Sequence, residues 1–66
     1  MKPKYPDIVV NLSDNDGNAF AILGRVRKAM RRAGISDDEI TEFSHEAMSS
    51  DYDYLLQTVM RTVETE

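Results

Sequence analysis

The chain has 66 residues, no cysteine and a formal net charge of −4. A single domain of this size buries only about 60% of the surface its unfolded chain exposes, and without cysteine neither disulfides nor thiolate metal sites reinforce the thin core. No apolar run approaches the ~20 residues of a membrane span, and "MKPKYPDIVV" lacks the apolar stretch of a signal peptide, so a soluble, cytoplasmic protein without a membrane partner is expected.

Residues 1–6 read as a flexible arm carrying Pro3 and Pro6. "DIVVNL", residues 7–12, is a short β-branched run that predicts one strand. "SDNDGN" follows as a turn, built from residues that bond their own backbone or accept unusual dihedrals. The period then changes. Ala19, Ile22, Leu23, Val26, Ala29, Met30 and Ala33 fall on one helical stripe, predicting a helix over 17–33. Asp16 is placed to cap its N-terminus, and Gly34 to supply a left-handed C-terminal residue. Gly24 sits inside this helix at a cost of about 1 kcal/mol, which predicts close packing against a neighbour.

"ISDDEI" carries the strongest local signal. Ser36 and Glu39 have the spacing of a capping box, Ile35 and Ile40 that of a hydrophobic staple. Asp37, Asp38 and Glu39 place negative charge in the first turn, where the helix dipole favours it. A helix over 36–48 is expected, with Ile40, Phe43, Ala47 and Met48 inward. "SSD" interrupts it, and Ser50 is expected to cap a third helix over 51–62. Its stripe would be Tyr52, Leu55, Leu56, Val59, Met60 and Val63. The tail "TVETE" either frays or forms a short strand beside residues 7–12, because a lone strand leaves its hydrogen-bonding groups unpaired. The expected class is α+β, mostly α: one N-terminal strand, three amphipathic helices and a candidate C-terminal strand, all in one domain.

Motifs for chemistry are missing where they would be needed. In Asp14-Asn15-Asp16-Gly17, the calcium-loop register puts Leu12 and Leu23 on ligand positions, and neither coordinates a cation. His45-Glu46 lacks the second histidine of a zinc-protease helix, and no glycine spacing makes a phosphate loop. Ser13, Ser36, Ser49 and Ser50 fall in turns or caps with no base in sequence view. No enzyme, cofactor or metal site is expected, and His45 reads as a solvated residue on the polar side of the second helix.

Charge is the functional signal. Residues 1–36 hold seven Lys/Arg against three Asp, while residues 37–66 hold one Arg against nine acids. Such asymmetry points to an interaction surface. One reading is an acidic face of Asp37, Asp38, Glu42, Glu46, Asp51 and Asp53, offered to a basic nucleic-acid-binding protein. Tyr5, Tyr52 and Tyr54 are candidate aromatic anchors for it, with Tyr52 expected in the core stripe and Tyr54 the better exposed. The alternative uses "GRVRKAMRR", where Arg25, Lys28 and Arg32 share a face flanked by Arg27 and Arg31, to bind RNA or DNA. A helix-turn-helix reading of "RRAGISDDE" fails because its recognition helix would drive three carboxylates towards phosphates. The bland reading is a solvated basic face partly paired with acids of the later helices, each exposed pair worth about 0–1 kcal/mol. A third reading is self-association, with the single strand pairing across a dimer axis.

The pattern "VVNL…DGNAFAILG…RKAMRRAG", followed by "SSDYDYLLQTV", resembles a group of small proteins from phage, prophage and plasmid genomes. The residues that carry it are Val9 to Leu12, Asp16 to Phe20, Ile22 to Gly24 and Asp51 to Leu56. The resemblance implies a mobile-element origin and brings no catalytic residues with it. For a small acidic protein of that origin it suggests a stoichiometric inhibitor of a host defence or nucleic-acid-handling complex, anti-CRISPR proteins included.

Overall fold

The computed structural model describes residues 2–12 and 19–66. Strand β1 (Tyr5–Val10) leads to helices α1 (Ala19–Arg32), α2 (Asp37–Ala47) and α3 (Tyr52–Thr62), and the chain closes with strand β2 (Val63–Thr65). The fold is α+β and mostly α, as expected. The tail is the strand alternative, so β1 is not single. β2 lies parallel to it, with Tyr5 opposite Val63, Val9 opposite Glu64 and Val10 opposite Thr65, and the register slips between Tyr5 and Val9. Parallel neighbours need a long crossover, and the three helices supply it. Lys4 N–H donates to the Arg61 carbonyl at 2.8 Å, and Leu12 N–H to the Glu66 carbonyl at 3.0 Å, extending the pairing beyond both strands.

The elements differ from the expected ranges for local reasons. β1 begins at Tyr5, inside the segment read as an arm, and ends at Val10 instead of residue 12. Ile8 and Val10 face the core while Val9 stays half exposed, the alternation of a one-sided strand. At the end of α1, Gly34 has φ +88°, and Ile35 N–H donates to Met30 O while Gly34 N–H donates to Arg31 O, both at 3.1 Å. These are the two bonds of a Schellman turn, and the motif's accompanying apolar pair is Met30 and Ile35. Ser36 then caps α2, its hydroxyl accepting from Glu39 N–H at 3.3 Å.

The cap of α3 is a correction. Asp51, not Ser50, stands at the N-cap, its carboxylate accepting from Tyr54 N–H at 2.9 Å. A carboxylate at that place also answers the positive end of the helix dipole. Asp16, expected to cap α1, and the turn through Asp14, Asn15 and Gly17 lie outside the described residues.

The core joins Ile8 and Val10 of β1 to Ile22, Leu23, Val26 and Met30 of α1, Ile40, Phe43 and Ala47 of α2, Leu55 and Val59 of α3, and Val63 of β2. Several expected core members lie outside it. Met48 and Met60 are 50% and 59% exposed, Tyr52 is exposed at the start of α3, and Ala33 is exposed where the chain turns away at Gly34. Thr58 is buried in their place. Its hydroxyl donates to the Tyr54 carbonyl at 2.8 Å and accepts from Arg61 at 3.4 Å, so no buried polar group is left unpaired there. Gly24 is a further correction: it is exposed, and a side chain added there would meet nothing within 4 Å. Close packing does not explain it.

Among the described residues, no helix is long and apolar enough to cross a membrane.

Candidate functional site

An open groove of about 420 Å³ runs between α2, the start of β1 and the inner side of α3. Met30, Phe43, Thr58 and Thr62 contribute to its lining, with Glu39, Glu42, Glu46 and His45 from α2 and Lys4 and Tyr5 from the β1 side. The acids recur at i, i+3 and i+7, which places three carboxylates on one face of the helix over about 10 Å of rise.

The outer two carboxylates are held. Tyr5 donates its hydroxyl to Glu39, and Tyr54 donates its hydroxyl to Glu46. Each tyrosine in turn carries a cation over its ring: Lys4 Nζ is 5.4 Å from the Tyr5 centroid, and the Arg61 guanidinium carbon is 5.6 Å from that of Tyr54. The Glu39 carboxylate beside it raises the Tyr5 hydroxyl above its ordinary value, chiefly because the phenolic proton makes the hydrogen bond, then through burial and the repulsion a phenolate would meet. Glu42 lies between these two braced ends. Among the described residues it carries no hydrogen bond or ion pair.

The acids expected to form one face do not all meet. Glu42 and Glu46 line the groove. Asp37 stands in the first turn of α2, 3.8 Å from Arg31 Nε, and both side chains are largely solvated. Asp38 is exposed in the same turn, Asp51 is used as a cap, and Asp53 is exposed in the first turn of α3. Tyr54 is half-buried against Glu46 and Arg61, whereas Tyr52 is the more exposed of the two, which reverses the expected assignment. Sequence reasoning missed Glu39 as a groove residue, while Tyr5, one of the candidate aromatic anchors, does line the groove. The spacing of Glu39, Glu42 and Glu46 contained the signal, but Glu39 had been absorbed by its capping role.

The basic residues divide as well. Arg31 turns to Asp37. Arg25 donates to the Asn11 carbonyl at 2.7 Å, and with Lys28 and Arg32 it lines a separate shallow groove against Val9, Val10 and Asn11 of the β1 segment. The expected pairing between the basic helix and the acidic half is thus a single surface contact among the described residues, worth about 0–1 kcal/mol.

His45 is exposed on the rim of the acidic groove. No group of three or more metal-binding side chains occurs among the described residues.

Comparison with protein-family models, with curated proteins and with solved structures returned no match for the chain.

Proposed function

We propose that this protein is a non-enzymatic protein-binding module that takes a cationic segment of its partner into the α2 groove. The observation that carries the reading is Glu42, a carboxylate over an apolar floor that is unpaired among the described residues and lies between two carboxylates fixed by Tyr5 and Tyr54. A lysine or arginine laid along the groove keeps its aliphatic stem against Phe43 and Met30 while its head reaches the acids. Fixing Glu39 and Glu46 beforehand lowers the ordering cost of binding.

The sequence resemblance to mobile-element proteins supports a cytoplasmic partner drawn from host nucleic-acid-handling or defence complexes. Such partners present basic side chains to nucleic acid, and an acidic groove competes for them stoichiometrically.

The test is affinity purification from host lysate, with and without nuclease, using the wild-type chain and Glu42→Lys/Glu46→Lys. Recovery of a defined protein that survives nuclease and is lost with the charge-reversed chain supports the proposal. Equal recovery by both chains, or recovery that nuclease abolishes, contradicts it.

A further inference from the structure

The second groove offers more than charge, because it runs along the edge of β1 that faces away from β2. Val10 faces β2: its carbonyl accepts from Glu66 N–H at 3.0 Å. Backbone groups alternate sides along a strand, so beyond the register slip those of Val9 and Asn11 point away from β2. Arg25 confirms the direction, since it reaches the Asn11 carbonyl from α1. The sheet has only these two strands among the described residues, so no strand covers that edge. Val9 is half exposed beside it.

Arg25, Lys28 and Arg32 line the groove of about 320 Å³ between this edge and α1, and a continuation past Asp7, Ile8 and Val9 also includes Arg32. Arg25 is engaged by Asn11, but Lys28 and Arg32 carry no hydrogen bond or ion pair among the described residues. An open strand edge presents both N–H and C=O groups, and a flanking row of cations selects against a basic occupant.

We propose that this groove binds an extended acidic peptide segment of a partner protein, which adds to β1 as a third strand. Alternate residues of such a strand recur every ~6.8 Å on one face. The three cations span about 10 Å along the helix axis, so two carboxylates of the added strand fit among them. A phosphate backbone answers the cations and can accept from a strand N–H, but it has no donor for the strand's C=O groups. A second copy of this chain brings its own Arg25, Lys28 and Arg32 against the same set, and like charges oppose that pairing. The site is independent of the acidic groove, so the failure of either leaves the other standing.

The test is titration with a fluorescent alternating Glu/Val peptide, with its Lys/Val counterpart and an oligo-dT strand as comparators. The Glu/Val peptide binds in a salt-sensitive manner, and Lys28→Glu/Arg32→Glu weakens it by about tenfold or more. Val9→Pro deletes an N–H that faces away from β2, and it weakens binding while circular dichroism stays unchanged. If that variant does not fold, amide exchange decides: the Val9 N–H of the wild-type chain gains protection when the peptide is added. Four results would overturn the proposal: equal binding of the Lys/Val peptide, tighter binding of oligo-dT, unchanged exchange at Val9, or a strand-edge dimer without peptide.

Discussion

Tyr5 and Glu39 tie the first strand to the second helix, the phenol at the start of β1 donating to a carboxylate in the first turn of α2. The bond has a pH signature. The folded chain holds the phenolic proton more tightly than the unfolded chain, whose value is about 10. Its stabilising effect is therefore complete below that value and is lost as pH rises through the folded value. Denaturant unfolding between neutral pH and pH above about 10 should show an alkaline loss of stability that shrinks in Tyr5→Phe. Parallel pH curves for the two proteins would contradict the assignment.

Two glycines of α1 and its turn should respond in opposite directions. Gly24→Ala relieves the entropy cost of glycine in a helix and meets no neighbour, so it should stabilise by about 1 kcal/mol. Gly34→Ala forces a side chain onto φ +88° and should destabilise by about 1 kcal/mol or more. Thermal unfolding of both variants checks the pair.

Capping of α3 is assigned to Asp51. Asp51→Ala should cost about 1 kcal/mol, while Ser50→Ala, in an exposed residue before the cap, should stay within about 0.5 kcal/mol. An equal loss in both would return the cap to the serine.

The C-terminal strand is part of the core. Val63 is fully buried and Glu64 beside it is exposed. Val63→Ala should cost about 2 kcal/mol, lowering the melting temperature by roughly 8–16 °C in a domain of this size. Glu64→Ala should leave it nearly unchanged.

Where the signal was local, the sequence was sufficient. Ser36, Gly34 and the stripe Ile22, Leu23, Val26 and Met30 took their expected roles because caps and helical period are set within a few residues. The misplaced residues share a physical cause. A core this thin covers only a narrow stripe of each helix, so Met48, Tyr52 and Met60 sit at its rim, and α3 buries Leu55, Thr58 and Val59. Val63 to Thr65 could be read as tail or strand because parallel pairing depends on where three helices deliver the chain end, which no window of sequence contains. The groove was half legible. Glu42 and Glu46 stood out as charge, but Tyr5 reaches Glu39 across 34 positions of sequence, and only the closed fold joins them.

The most direct test of the central claim is titration of the protein with a fluorescent Arg/Lys-rich peptide, comparing Glu42→Lys with Asp53→Lys. The two substitutions change net charge equally, yet only Glu42 lines the groove. Salt-sensitive binding is expected that falls about tenfold or more in Glu42→Lys and changes little in Asp53→Lys. Equal weakening by both would reduce the interaction to overall charge and contradict a built site at Glu42.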